Sequence, residues 1–99
     1  MEFVVIGYDG VDEGAQQRRL QSRAAHIALG DKMVASGNHL YGVALLNDAG
    51  DMIGSIIICD FPSRKELDEW LAIEPYVTGD VWKTIEVRPC RTGPSYLKR

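Results

Sequence analysis

Two short runs of consecutive apolar residues constrain this chain more than any other feature. Val4, Val5 and Ile6 follow one another, and so do Ile56, Ile57 and Ile58. Because successive side chains of a strand point to opposite faces of a sheet, such strands are apolar on both faces. A chain of 99 residues is long enough for one core but hardly for two. The sequence therefore predicts a single domain whose second sheet face is covered by another copy, as a homodimer.

Periodicity and turn residues divide the chain into six elements. Runs rich in β-branched and aromatic residues predict strands, and apolar residues at helical spacing predict helices. In chain order we expect a strand over 3–8, a helix over about 13–36, strands over 39–46 and 52–60, a helix from Ser63 to before Pro75, and a strand over 82–89. This β-α-β-β-α-β order is the ferredoxin-like split motif of the α+β class, with an antiparallel sheet.

Two details of the helices can be predicted further. The first helix is predicted from Leu20, Ala24, Ile27 and Val34, which recur at helical spacing, and it is expected to end at a left-handed Gly37. The segment Ser63-Arg64-Lys65-Glu66 matches a capping box, in which serine and glutamate each satisfy an amide of the first turn. Residues 3–89 form the predicted core of the domain, and residues 90–99 a polar, basic tail.

Charge and composition argue against several classes of partner. A net charge of -3 disfavours binding to nucleic acid. The longest apolar stretch, Met52 to Cys59, is too short to span a membrane, and the amino terminus lacks the basic segment of a signal peptide. We therefore expect a cytoplasmic protein with no membrane partner. Cys59 and Cys90 lack metal-site spacing; a disulfide between them is one interpretation, and isolated thiols in a reducing compartment are the favoured one. Without nucleotide or metal motifs no cofactor is expected.

One stripe of the first helix carries groups suited to chemistry. Arg19, Arg23, His26 and Gly30 are spaced by four, three and four residues, which places them on one side of a helix. Guanidinium groups bind carboxylates or phosphates, and an imidazole can act as an acid or a base near neutral pH. The stripe is interpreted either as a binding site or as a solvated cationic face with an incidental histidine.

A second candidate position is the corner Glu74-Pro75-Tyr76 after the second helix. The proline favours an extended backbone at Glu74, so that a carboxylate and a phenol are held at a corner and could face a cleft. Taken alone, the same residues are simply a helix-stop signal. His39 and Lys83 have no partner recognisable from spacing and are interpreted as structural.

Several short motifs, in the same order and spacing, resemble the YciI-like (YCII-related) family over about residues 3–89. They are Arg23-Ala24-Ala25-His26-Ile27, Ala35-Ser36-Gly37, Gly54-Ser55, Glu74-Pro75-Tyr76-Val77 and Val87-Arg88-Pro89. In the fourth motif Glu74 stands where the family usually has aspartate. The resemblance implies a ferredoxin-like dimeric α+β barrel with a histidine and an acidic residue in a small cleft.

Carried onto this chain, the resemblance implies that His26 is the acid/base and that Glu74 orients it. Arg23, Ser55 and Tyr76 would line the substrate pocket. At least one member of the family removes chloride from an aromatic ring. Two hypotheses follow: a cofactor-independent lyase, isomerase or hydrolase-like enzyme acting on a small anionic or aromatic substrate, or a non-catalytic homodimeric module that binds an unknown small metabolite.

Overall fold

A computed structural model describes residues 1–97 of the protein, and every predicted element is present. The elements are β1 (Glu2–Asp9), α1 (Ala15–Ala35), β2 (His39–Leu46), β3 (Met52–Asp60), α2 (Arg64–Leu71), α3 (Pro75–Thr78), β4 (Trp82–Cys90) and a 3₁₀ turn (Pro94–Tyr96). The short helix α3 was not predicted, because its sequence was interpreted only as a corner. Proline at its first position explains why it begins there, since the missing amide would have no intrahelical partner.

The four strands form one antiparallel sheet in the order β2-β3-β1-β4. This order and the two helical crossovers confirm the ferredoxin-like α+β fold. The two apolar runs lie side by side in the central strands, where Val5 pairs with Ile57 and Ile6 with Ile56. The most apolar strands are therefore the two that have a neighbour on both edges.

The register separates the two faces of the sheet. Phe3, Val5, Ile57 and Cys59 point toward the helices and are buried in the core with Leu67 and Trp70 of α2. On the opposite face, Val4 pairs with Ile58 and Ile6 with Ile56, and all four side chains are half-buried. The prediction that the central strands are apolar on both faces is confirmed.

The apolar residues whose spacing predicted α1 lie on the exposed side of the helix. Leu20, Ile27 and Val34 are exposed by 60%, 45% and 63%, and Ala24 is exposed as well. The helix instead turns Arg19 toward the sheet, followed by the half-buried Leu29 and Met33. Burying Arg19 is tolerated because its guanidinium has charged and polar partners beneath the helix, described below. The spacing of apolar residues along a helix does not show whether a buried charged residue has such partners.

The ends of both longer helices follow the sequence. Gly37 after α1 has φ +85, the left-handed conformation predicted for it. At α2 the hydroxyl of Ser63 accepts from the amide of Lys65 at 3.3 Å. The carboxylate of Glu66 is hydrogen-bonded to the same hydroxyl, which holds the pKa of Glu66 below its usual value. Ser63 therefore caps α2 as predicted.

The two cysteines are free thiols. Cys59 lies opposite Phe3 and Cys90 lies opposite Glu2, so they are on two strands separated by β1 and on opposite faces of the sheet. This arrangement does not allow the short Cβ–Cβ distance of a disulfide. Burial raises the pKa of the Cys59 thiol to about 12.

The start of the carboxyl-terminal tail is tied to the sheet. The amide and the hydroxyl of Thr92 donate to the Glu2 carboxylate at 2.7 and 2.6 Å. Lys98 and Arg99, which belong to the predicted basic tail, lie outside the described residues. Within residues 1–97 no helix is long and apolar enough to cross a membrane.

Candidate active site

A cleft of about 330 Å³ lies between α1 and β2. Its polar lining comes from four elements: Arg19, Arg23, His26 and Asp31 of α1, His39 and Tyr41 of β2, Ser55 of β3 and Tyr76 of α3. Gly30 of the predicted stripe also lines it, so the stripe lies along a cleft rather than on a fully solvated face. Four predicted site residues (Arg23, His26, Ser55 and Tyr76) meet here, and the fifth, Glu74, lies behind His26.

His26 and Glu74 are joined by a hydrogen bond. The imidazole Nδ1 donates to Glu74 Oε1, which also accepts from the Tyr76 amide at 3.3 Å. Glu74 is the N-cap of α3, and its backbone is extended as the following proline predicts (φ -66, ψ 122). The Glu74 side chain is fully buried, whereas the His26 side chain keeps 20% of its surface exposed. A buried carboxylate therefore holds the Nδ1 side of the His26 ring, and His26 also lines the cleft.

Aromatic rings fix the plane of His26. Its imidazole stacks on Tyr76 with the ring centroids 3.8 Å apart and the planes 11° from parallel. Trp82 packs edge-on against both rings, at 6.3 Å from His26 and 5.7 Å from Tyr76. A Cβ on Gly7 would lie 2.3 Å from the Trp82 indole, so only glycine in β1 allows Trp82 to take this position.

Arg19 supports the cleft from one end. Its Nη1 contacts both carboxylate oxygens of Asp9, at 2.9 and 3.0 Å, and both side chains are almost fully buried. Its Nη2 donates to Ser55 Oγ at 3.0 Å and to the Gly54 carbonyl at 3.2 Å. The guanidinium carbon also lies 4.6 Å from the centre of the Tyr76 ring. These contacts of Arg19 thus position Ser55 and Tyr76.

Sequence reasoning did not assign this pair. Arg19 was part of the helical stripe, but its partner Asp9 was interpreted only as a turn residue. The two lie ten residues apart at the end of β1 and in the second turn of α1, and no spacing rule connects those positions. The one local signal for this ion pair was Asp9 itself, a charged residue directly after an apolar strand.

Arg23 is a cationic residue that lines the cleft. Within residues 1–97 its guanidinium forms no ion pair, and its contact is with the thioether sulfur of Met52 at 3.3 Å. Sulfur is a weak acceptor, so this contact leaves the positive charge uncompensated. The arrangement can accept a ligand anion.

His39, which the sequence indicated as structural, also lines the cleft. It is 7% exposed and meets the Trp70 ring edge-on at 4.6 Å. Burial lowers the pKa of His39 to about 4, with Glu74 opposing this shift and His26 adding to it. The imidazole is therefore neutral near pH 7. Lys83, the other residue interpreted as structural, pairs with Asp80 at 2.5 Å and does not line the cleft.

The described part of the chain offers no ready metal site. In residues 1–97 no group of three or more histidine, cysteine, aspartate or glutamate side chains is arranged to hold an ion. The groups in the cleft are two imidazoles, two guanidiniums, a hydroxyl, two phenols and the Asp31 carboxylate, with the Glu74 carboxylate behind them. Together they can bind an anion and transfer a proton.

Comparison with known proteins gives concordant matches over nearly the whole chain. The model of the YCII-related domain matches residues 1–91. Protein YciI of Escherichia coli O6:H1 is 28% identical over 95 residues, covering 90% of this chain and 95% of that protein, and Protein YciI of Shigella flexneri matches equally.

Solved structures share the fold. A 5-chloro-2-hydroxyhydroquinone dehydrochlorinase from Burkholderia phenoliruptrix AC1100, in complex with 2,5-dihydroxybenzoquinone, superposes with a TM-score of 0.81 at 24% identity, covering 94% of this chain and 96% of that one. A dimeric ferredoxin-like protein of unknown function from Jannaschia sp. CCS1 gives a TM-score of 0.52 at 15% identity, covering 92% of this chain and 98% of that one.

Proposed function

The chain belongs to the YCII-related domain family, and we propose that it is a cofactor-independent enzyme in which His26 transfers a proton on a small anionic or aromatic substrate. The observation that carries this proposal is the hydrogen bond between His26 Nδ1 and the buried Glu74 carboxylate. A carboxylate in that position sets the tautomer and the orientation of an imidazole and stabilises its protonated form. Glu74 is thus a positioning residue in the proposal, and His26 is the catalytic residue.

The roles of the two imidazole nitrogens follow from their partners. Because Nδ1 is engaged by Glu74, Nε2 is the nitrogen that can meet a substrate in the cleft. In the proposal Nε2 accepts a proton from an acidic O–H or C–H group and leaves the bonding electron pair on the substrate. The negative charge that develops can be balanced by Arg23, which has no carboxylate partner within residues 1–97. Ser55 and Tyr76 complete the proposed substrate pocket.

The size of the cleft favours a small ligand. Its volume of about 330 Å³ is at the lower end of the range typical of ligand sites. The ligand of the Burkholderia structure, 2,5-dihydroxybenzoquinone, is a molecule of this kind, with acidic hydroxyl groups on a planar ring. It is therefore a suitable probe for this chain, and 5-chloro-2-hydroxyhydroquinone is the first substrate to test.

The proposed enzyme is a single-domain, cytoplasmic homodimer. The apolar patch of Val4, Ile6, Ile56 and Ile58 on the sheet face opposite the helices supports a second copy as its cover. The dimeric state of the ferredoxin-like protein from Jannaschia is consistent with this assembly. A face-to-face pair of sheets would leave both clefts, which lie on the helix side, open to ligand.

A non-catalytic metabolite-binding module is the second candidate, and one observation favours it. Glu74 caps α3 through the Tyr76 amide, so its burial has a structural use that needs no proton transfer. Under this alternative the same cleft holds a small anion without changing it. The two functions share a binding site and differ in whether His26 is needed for turnover.

The test combines ligand-induced thermal stabilisation with turnover measurements. We expect 2,5-dihydroxybenzoquinone to raise the Tm of the wild-type protein, because a ligand that binds the native state stabilises it by mass action. Glu74→Gln keeps the shape of the side chain and removes its charge, and Glu69→Gln on the exposed side of α2 is the matched control. His26→Asn removes the proposed proton carrier.

The outcomes separate the two functions. For the enzyme, chloride release or another conversion of the test substrate falls by about 100-fold or more in His26→Asn, falls in Glu74→Gln, and is unchanged in Glu69→Gln. Binding without conversion, unaltered by His26→Asn, would favour the binding module. If no small anionic ring compound stabilises the wild-type protein at millimolar concentration, both candidates are wrong.

A further inference from the structure

Gly30 is an interior residue of α1 whose missing side chain leaves space in the cleft. Glycine is less favourable than alanine inside a helix, because it loses more backbone freedom on folding. Packing does not require it here: apart from its chain neighbours and the backbone of its own helix, no atom of residues 1–97 lies within 4 Å of a Cβ built at Gly30. Gly30 lines the cleft, so the open space beside it is part of the cleft.

The sheet side of the cleft also carries a glycine, Gly42 of β2. Gly42 pairs with Ile57, whose side chain points toward the helices, and directly paired residues share one face of a sheet. A Cβ at Gly42 would lie no closer than 3.8 Å to Ile57 and to the Ile56 carbonyl oxygen, which is ordinary contact. A side chain could therefore be accommodated at either position, and the two glycines leave both sides of the cleft open instead.

The cleft is larger than a bare aromatic ring needs. A closed cavity of about 150 Å³ holds one benzene molecule, whereas the volume of this cleft is about 330 Å³. Gly30 follows His26 by four residues, which is about 6 Å along the helix axis. A ring that contacts His26 can therefore carry a substituent of a few atoms that reaches Gly30.

The lining that α1 provides around Gly30 is apolar apart from one carboxylate. Ile27 and Val34 line the cleft one turn before and one turn after Gly30, and both are exposed, so a ligand can bury their apolar surface. Asp31, which is also exposed, lines the cleft next to Gly30. Because like charges repel, this carboxylate disfavours a negatively charged substituent at Gly30.

We propose that Gly30 is a specificity-determining residue: the space beside it receives an apolar substituent of the substrate, and the Asp31 carboxylate excludes a negatively charged one. This inference rests on the proposed function of the cleft and narrows its substrate class. The substrate is a small anionic ring compound whose reacting group meets His26 and whose ring carries an alkyl or similar uncharged group on the side of Gly30. A bare ring buries less apolar surface in the cleft and binds more weakly.

Three commercial probes differ only in the substituent. Benzoate has none, 4-propylbenzoate carries a short apolar chain opposite its carboxylate, and terephthalate carries a second carboxylate there. We expect wild-type protein to bind 4-propylbenzoate about 10-fold more tightly than benzoate in an NMR titration, with the ring protons of His26 shifting for both. Terephthalate should bind no more tightly than benzoate, because its second charge meets Asp31.

Gly30→Leu fills the space beside the helix without altering His26 or its partners. The preference for 4-propylbenzoate over benzoate should disappear, while the affinity for benzoate stays the same. The Tm should stay the same or rise, because leucine favours the helix and meets no neighbouring side chain. Ala28→Leu is the matched control, since Ala28 is exposed on the same helix and does not line the cleft, and it should keep the preference.

Asp31→Asn tests the excluded charge separately. It should tighten the binding of terephthalate and leave that of 4-propylbenzoate unchanged, because only terephthalate brings a second negative charge to Asp31. Asp48→Asn, in the turn between β2 and β3, removes an exposed carboxylate outside the cleft and should alter neither affinity.

Each other outcome overturns the inference. Equal affinity of wild-type protein for benzoate and 4-propylbenzoate, or an unchanged preference in Gly30→Leu, would show that no substituent lies at Gly30 while the proposed function of the cleft stands. Loss of benzoate binding in Gly30→Leu would place the ring itself at Gly30. Tight binding of terephthalate to wild-type protein would remove the role assigned to Asp31. If neither benzoate nor 4-propylbenzoate perturbs His26, the anionic-ring proposal fails and this inference fails with it.

Discussion

The imidazole of His26 lies flat on the phenol ring of Tyr76, and the backbone amide of Tyr76 donates to the same Glu74 carboxylate that holds His26 Nδ1. The short helix α3 therefore determines both the plane of the imidazole and the partner of one of its nitrogens. A change in the first turn of α3 must alter the stacking and the hydrogen bond together.

Tyr76→Phe tests whether the stack or the hydroxyl is needed. The hydroxyl is buried and has no partner within residues 1–97, so its removal should change the free energy of unfolding by less than about 1 kcal/mol. Tyr76→Ala removes the fully buried ring and should cost about 3–5 kcal/mol. Urea unfolding of the two variants measures both values. A large loss in Tyr76→Phe would mean that the hydroxyl has a structural partner.

Buried His39 should make the protein sensitive to mild acid. An unfolded chain binds a proton at His39 near pH 6.5, whereas the folded chain does so only near pH 4. Between these values the unfolded state binds more protons, so stability falls as the pH is lowered through this window, by about 2–3 kcal/mol for this group. Unfolding experiments on wild type and His39→Phe isolate the effect. Parallel pH profiles of the two proteins would contradict it.

The ion pair between Arg19 and Asp9 should be strongly coupled. Arg19→Met leaves the Asp9 carboxylate buried without its guanidinium and should destabilise the fold by about 3–5 kcal/mol. Replacing Asp9 by Asn in the same protein removes the buried charge and should recover part of that loss. A double-mutant cycle by chemical denaturation measures the coupling. Additive effects of the two substitutions would mean that the pair contributes little beyond its separate members.

The proposed dimer can be tested with one charge on the open sheet face. Ile56→Lys places an ammonium group in the centre of the apolar patch and should yield monomers at micromolar concentration by sedimentation. Ile73→Lys is the matched control, because Ile73 is 61% exposed after α2 and lies outside that patch. A wild-type protein that is already monomeric, or an Ile56→Lys variant that stays dimeric, would contradict the proposal.

Local patterns predicted the strands well because β-branched runs and turn residues act over a few positions. The bounds of β2 and β3 agree with their predictions, and Gly37 ends α1 as expected. The inner face of α1 could not be predicted, because the burial of Arg19 depends on Asp9 and Ser55, which are distant in sequence. Helix α3 was missed since four residues are too few for a periodic signal.

The candidate site could be predicted only in part, because its contacts join residues that are distant in sequence. The spacing of Arg23 and His26 on one helix placed them together, whereas the link from His26 to Glu74 came from the family resemblance and spans 48 residues. His39 carried no local signal, because a histidine at the start of a strand looks the same whether it faces solvent, core or cleft.

The small apolar inner face of α1 has a consequence for how the protein opens. Leu20, Ile27 and Val34 lie on the exposed side, so α1 is held to the sheet by Leu29 and Met33 together with the polar contacts of Arg19 and His26. Detaching this helix should cost less free energy than unfolding the whole sheet, so its amide protons should exchange with solvent through a local opening. The amides of β1 and β3 should exchange only on global unfolding. Because His26 and Arg23 are both on α1, a bound anion should slow the exchange of the helix specifically, and equal protection of α1 and β1 in the free protein would refute this view.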